Sequence, residues 1–214
     1  MVNHKRIIII SLVITILVFS AGLLLGLSLD NTRISDLVTT LNQNELNSES
    51  YLVEQDFIKT VGGDICDLSN PRIQDLSSEL SKLGQLLSKY EPSNLFRQPE
   101  YDYLKAKYFL LEIKTYTLFT NLKEECNYNF DTILFFYDLE QQESLNQGYI
   151  LDSLVETQGN LHVFSFDRNF NEPALEALKL HYNITNSPSI IINNNIKKEE
   201  LTGKEELKTI LDNE

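Results

Sequence analysis

The stretch Ile7 to Leu29, IIIISLVITILVFSAGLLLGLSL, carries no charge and constrains this chain more than any other feature. Its only polar residues are serines and one threonine. At 1.5 Å per residue a helix over 7–29 is about 34 Å long, enough to cross a hydrocarbon core of about 30 Å. His4, Lys5 and Arg6 precede it. Asp30, Arg33 and Asp36 follow, and the next basic residue is Lys59. The excess of positive charge before the span predicts a cytoplasmic N-terminus and an extracytoplasmic remainder. A cleaved signal peptide is the competing reading. The apolar run exceeds the usual secretory core and no clean A-x-A site follows it, which favours an uncleaved signal-anchor. The expected organisation is a cytoplasmic N-terminus over 1–6, a single-pass transmembrane anchor over 7–29, a helical segment over 30–126 and an α/β domain over 127–214.

Outside the span the chain is acidic, with a formal net charge of −13 over its 214 residues. That excludes nucleic acid as an expected partner, because phosphate backbones are held by Lys and Arg. The expected partners are membrane lipid through residues 7–29 and a polypeptide. The acidity otherwise reads as a solvated, self-repelling surface. Cys66 and Cys126 are the two cysteines and form no CxxC pair. Asn183-Ile184-Thr185 fits the N-glycosylation triplet, a pattern common by chance.

Residues 33–125 read as helix. Ile34, Leu37, Val38 and Leu41 repeat at three and four, and the apolar face resumes at Leu52, Val53, Phe57 and Ile58. This first helix can continue the membrane helix outward as a stalk. Gly62-Gly63 breaks it. Asn70-Pro71 predicts the start of a second helix, with apolar positions Ile73, Leu76, Leu80, Leu83, Leu87 and Tyr90. Pro92 and Pro99 bound a loop. A third helix is expected from Glu100 to Glu125, with Leu104, Tyr108, Leu111, Thr115 and Leu118 on one stripe. Three helices with short connections predict an antiparallel hairpin or bundle. That arrangement brings Cys66 and Cys126 to one end, so a Cys66–Cys126 disulfide is expected in an oxidising compartment. Two buried free thiols are the alternative.

The pattern changes after Asn127. Thr132–Tyr137 reads as a buried strand. A helix over 143–157, a strand over 161–166 and a helix opened by Asn171-Glu172-Pro173 follow. Ser189–Ile192 is a third strand, Asn193-Asn194 a hairpin turn, and 195–198 a fourth strand. Thr202-Gly203-Lys204-Glu205 has capping-box spacing before a last helix. The fold class is α/β, in the order β-α-β-α-β-β-α, with the first strands joined by helical crossovers and therefore parallel.

This order, with Ser187-Pro188-Ser189-Ile190-Ile191-Ile192-Asn193, resembles the thioredoxin-like fold over residues 130–214. The whole layout resembles membrane-anchored thioredoxin-like proteins of archaea. The resemblance implies that Ser187, Pro188 and Ser189 form the family's cis-proline loop, beside a groove that holds an extended polypeptide. It places the redox dithiol at Gln141 and Ser144, neither of which is cysteine. Thiol–disulfide exchange needs an attacking thiolate and a second thiol to displace it. The resemblance therefore implies the fold and denies the usual activity.

Asp138 and Asp167 fall just past the carboxyl ends of two neighbouring strands, where open α/β sheets bind ligands. They could hold a cation or act as an acid/base pair, but each is more simply read as satisfying loop N–H groups. His4, His162 and His181 are scattered, and GxSxG, P-loop, GxGxxG and HExxH motifs are absent. No metal, cofactor or catalytic residue is expected. The sequence points to a membrane-tethered, non-catalytic binding or scaffolding module. The alternatives are an oxidoreductase working through Cys66 or Cys126, and an oligomerisation stalk.

Overall fold

The computed structural model describes residues 4–62, 66–90 and 98–213. Gly63 and Pro92, expected at breaks, lie outside the described residues. Helix α1 runs without interruption from His4 to Val61. At 1.5 Å per residue that is about 87 Å of helix. Its part Ile8–Gly26 is long and apolar enough to cross a membrane, a property it shares with signal sequences. Large side chains there stand exposed, Phe19 at 70 % among them. Beyond this part the same helix turns one face inward, burying Leu37, Leu41 and Tyr51. Gly62 ends it with φ +80°, a value that suits a residue without Cβ.

Helices α2 (Cys66–Tyr90) and α3 (Gln98–Cys126) complete a three-helix unit. Ion pairs Lys107–Glu45, Lys114–Glu49 and Lys59–Glu125 ascend together, so α1 and α3 run parallel. α2 runs the other way and packs on both, burying Ile73, Leu76, Leu80, Leu83 and Leu87. α2 starts at Cys66 rather than at Asn70-Pro71. Pro71 removes a single N–H bond near the start of the helix, and the first turn is held from outside by the disulfide to Cys126. The two cysteine Cα atoms are 5.4 Å apart. Tyr128 donates its hydroxyl hydrogen to the Cys66 carbonyl, tying the same corner. α3 stops where Asn127 takes φ +51°, a left-handed position that asparagine tolerates.

The sheet follows. Strands β1 (Asp131–Tyr137), β2 (Leu161–Asp167), β3 (Ser189–Ile192) and β4 (Ile196–Lys198) lie in the order β2-β1-β3-β4. β1 and β2 are parallel, joined by α4 (Gln142–Val155). β3 is also reached through a helix, α5 (Pro173–His181), yet runs antiparallel to β1. The nine residues of α5 do not carry the chain back to the amino end of the sheet, so β3 starts opposite Phe136. Asn193 and Asn194, at φ +47° and +61°, make the β3–β4 hairpin turn. α6 (Lys204–Leu211) is capped at Gly203, not Thr202. The Thr202 backbone is held instead by the buried Gln147 amide, which accepts from its N–H and donates to its carbonyl.

Alternation along β1 splits the core in two. Leu134 and Phe136, with Phe164, Phe166 and Ile191, face α3 and α5 and join the core of the helical unit. Ile133 and Phe135, with Ile190 and Ile192, face α4 and α6. Closing a loop with a sequence separation of 60 stabilises a fold by about 4 kcal/mol in the chain-entropy account. Urea denaturation of a Cys66→Ser/Cys126→Ser variant should show a loss of that order, and denatured, unreduced wild type should titrate no free thiol. A variant as stable as wild type would contradict this.

Candidate functional site

The carboxyl ends of β1 and β2 meet the start of β3 at one edge of the sheet. Register places Tyr137 beside Asp167 and Phe136 beside Ser189. Pro188 therefore follows on next to the end of β1, and the Ser187–Pro188 peptide bond is cis. Ser189 is fully buried, its hydroxyl donating to the Asn186 carbonyl at 2.8 Å. The Ser187 hydroxyl is buried and has no hydrogen-bond partner among the described residues.

Gln141 is the N-cap residue of α4, in extended conformation. Its side-chain amide donates to Asp138 Oδ2 at 3.2 Å. Ser144, one turn on and 2 % exposed, accepts from the Asp138 N–H at 3.1 Å. Both positions are thus spent on fixing one loop residue. The Asp138 carboxylate also accepts from the Glu140 N–H at 3.0 Å and lies 3.6 Å from Arg168. The bond from Glu140 is the main reason its pKa falls below the usual carboxylate range, with Asn169 and Arg168 adding to it. Arg168 reaches on to the Thr185 carbonyl at 2.9 Å, so it ties the end of β2 to the loop before Pro188.

Asp167 is engaged elsewhere. It accepts from the Asn169 N–H at 2.9 Å and pairs with Lys105 of α3 at 2.7 Å. The lysine side chain is 6 % exposed. The two strand-end aspartates therefore pair with different cations, Arg168 and Lys105, and both satisfy loop N–H groups. Among the described residues no cluster of His, Cys, Asp and Glu could hold a metal ion. Cys66 and Cys126 are joined to each other at the opposite end of the helical unit, remote from Pro188.

Charged groups on the inner face of α3 were not singled out from the sequence. Lys105 and Glu112, seven apart beside Leu104 and Leu111, carry the signal: two charges on an apolar stripe. Glu112 is 2 % exposed. It accepts from the Tyr108 hydroxyl through one oxygen and from the Ser165 N–H, at 3.1 Å, through the other. Burial raises its pKa from 4.5 to about 8. His162 moves the opposite way, from 6.5 to about 4, because burial beside Phe119 and Phe130 penalises its cation. Its Nδ1 meets the Ser77 hydroxyl at 2.8 Å.

Solved structures similar to this chain have thioredoxin-like folds. Thioredoxin-2 of the malaria parasite, described as a component of protein secretion machinery, is 19% identical, with a TM-score of 0.36. The match covers 40% of this chain and 84% of that one. Chloroplastic thioredoxin z is 16% identical, with a TM-score of 0.36 over 44% of this chain and 84% of that one. No family model and no curated protein sequence matches the chain.

Glu112 and His162 set opposing pH slopes. Between pH 4.5 and 8 the folded carboxyl keeps a proton that the unfolded one has lost, so stability falls as pH rises. Between pH 4 and 6.5 the unfolded histidine holds a proton that the folded one lacks, so stability rises with pH. The two cancel up to pH 6.5, and above it the glutamate acts alone. Urea midpoints should fall between pH 6.5 and 8 by the equivalent of about 2 kcal/mol. Glu112→Gln, which keeps shape and removes the titration, should flatten that fall. An unchanged slope in the variant would assign it to another group.

Proposed function

We propose that this chain is a membrane-tethered, extracytoplasmic thioredoxin-like module that holds an extended polypeptide without redox chemistry. The observation that carries this reading is the edge at Pro188. There the unpartnered Ser187 hydroxyl and the end of β1 come together. A buried hydroxyl without a partner is costly, and a peptide laid along 186–188 would supply one. Such pairing is a form of strand addition. Both cysteines are bonded to each other at the far end of the helical unit, away from the Pro188 edge, so neither sulfur faces the groove.

The direction of the sheet supports a partner close to the membrane. Lys105 meets Asp167, Glu112 meets Ser165, and Phe119 meets His162, so β2 runs antiparallel to α3. α3 runs parallel to α1. The Pro188 edge therefore faces the end of the molecule from which Ile8–Gly26 departs. Along α1, Gly26 and Asn42, which accepts from Lys107 of α3, are separated by a rise of about 24 Å. That is space for a polypeptide lying against the membrane face.

A second reading has its own observation. Leu46, Val53, Phe57 and Val61 stand 61–66 % exposed along one side of α1, as an oligomerisation stalk requires. Phe57→Glu would lower the mass of the particle in light scattering if that face pairs two copies.

The test of the main reading is site-specific photo-crosslinking in intact membranes. A crosslinker at Asn186, on the Pro188 edge, should capture a membrane polypeptide several-fold more than one at Asn160, at the amino edge. Equal yields would remove the assignment of the groove. Protease added to intact cells should digest residues beyond 30, and their protection would reverse the topology.

A further inference from the structure

β2 ends the sheet on one side, and a cavity of about 570 Å³ lies beside it between α2 and α4. Leu161, Val163 and Ser165 of β2 line it. Alternate residues of a strand turn their backbone groups to opposite sides. The Asn193 N–H donates to the Thr132 carbonyl, so β1 serves β3 with its even residues and β2 with its odd ones. The Arg168 N–H donates to the Tyr137 carbonyl, so β2 answers with its even residues. Leu161, Val163 and Ser165 therefore point their N–H and C=O groups away from the sheet. Two of these groups are satisfied. The Leu161 N–H donates to the Gln158 carbonyl at 3.2 Å, and the Ser165 N–H to Glu112 at 3.1 Å. The Val163 N–H and the carbonyls of Leu161, Val163 and Ser165 have no hydrogen-bond partner among the described residues. An unpaired edge of this kind is a template for another strand.

The free groups and the walls define the guest. The edge offers three carbonyl acceptors and one N–H donor. A small cation would meet the carbonyls and leave the Val163 N–H unanswered, whereas a polypeptide brings N–H and C=O together. Val163 packs on the α4 side of the sheet. A guest residue opposite it sends its side chain to that same face. There α4 presents Asp152 and Glu156 to the cavity, one turn apart and exposed. Neither has an ion pair among the described residues. Lys105, a basic side chain in the lining, is already paired with Asp167. On the opposite wall α2 turns Ser77, Ser81 and Gln85 to the cavity, which suits polar side chains at the alternate guest positions.

We propose that this edge of β2 receives a strand from a partner polypeptide, with a lysine or arginine set opposite Val163 and directed at Asp152 and Glu156. The site lies on the other side of β1 from Pro188 and does not depend on the reading given for that edge.

The test uses the full chain in phosphatidylcholine nanodiscs, with empty nanodiscs as the blank. The probe is a dye-labelled heptapeptide of valine and threonine with a central lysine, followed by fluorescence anisotropy. Saturable binding above the blank is expected. Glutamate in place of the central lysine should weaken it about tenfold, because like charges then face each other. Methyl groups on the backbone nitrogens of the lysine and of the residues two before and two after it keep every side chain and remove the donors to β2. Affinity should then fall by about tenfold or more. Asp152→Asn/Glu156→Gln, at two exposed positions, should lose about fivefold, the worth of two surface ion pairs, at an unchanged melting temperature. Val163→Pro removes the free N–H without removing a ladder bond and should abolish binding. If that variant does not fold, the methylated peptide makes the same test on the native chain. No saturable binding by the wild type overturns the proposal. Equal affinity for the methylated peptide, or equal affinity of wild type and carboxylate variant, also overturns it and places the peptide elsewhere, the Pro188 edge included. Displacement by spermine at the peptide's own concentration would reduce the site to a binder of cations and overturn the proposal as well.

Discussion

The seam between α3 and β2 is the contact on which the rest of this structure depends. β2 is an edge strand, and an open edge exposes N–H and C=O groups that must be satisfied or covered. Glu112 takes the Ser165 N–H in the middle of that edge, and Lys105 takes Asp167 at its end. Around these polar links the ring of Tyr116 packs on Phe164, and Phe119 on His162. The helices thereby share one apolar core with a face of the sheet. Removing Lys105 alone would leave the largely buried Asp167 carboxylate without its cation, which is far costlier than never having had the pair.

The sequence made the order of elements legible where periodicity is strong and punctuation is local. Thr132–Tyr137 and Leu161–Phe166 are dense in β-formers, and Asn193-Asn194 supplied a turn that needs two positive φ values. Boundaries set by distant contacts were not legible. The start of α2 at Cys66 depends on a bond to Cys126, sixty residues away in sequence. The cap of α6 moved from Thr202 to Gly203 because Gln147 had already claimed the Thr202 backbone. The direction of β3 follows from the shortness of α5, which a helical pattern of four or five apolar residues does not reveal.

The candidate site was legible as a place more than as a set of interactions. Pro188 and the two strand-end aspartates could be assigned to one edge of the sheet from element order. Arg168, which binds that edge together, gave no signal because a single arginine after a strand is unremarkable in sequence. Gln141 and Ser144 look like empty positions in a motif. In the fold both hold Asp138, so their side chains are committed to the loop and not turned outward to a substrate.

The Cys66–Cys126 bond closes a covalent ring that contains α2, the 91–97 connection and α3. The apolar helix lies before the ring and the α/β unit after it. A single peptide cleavage anywhere within 67–125 therefore cannot part these two ends of the molecule. The fragments stay one particle until the disulfide is reduced. Shedding of the α/β unit from its helix requires a cut outside the ring, or a cut and a reductant together.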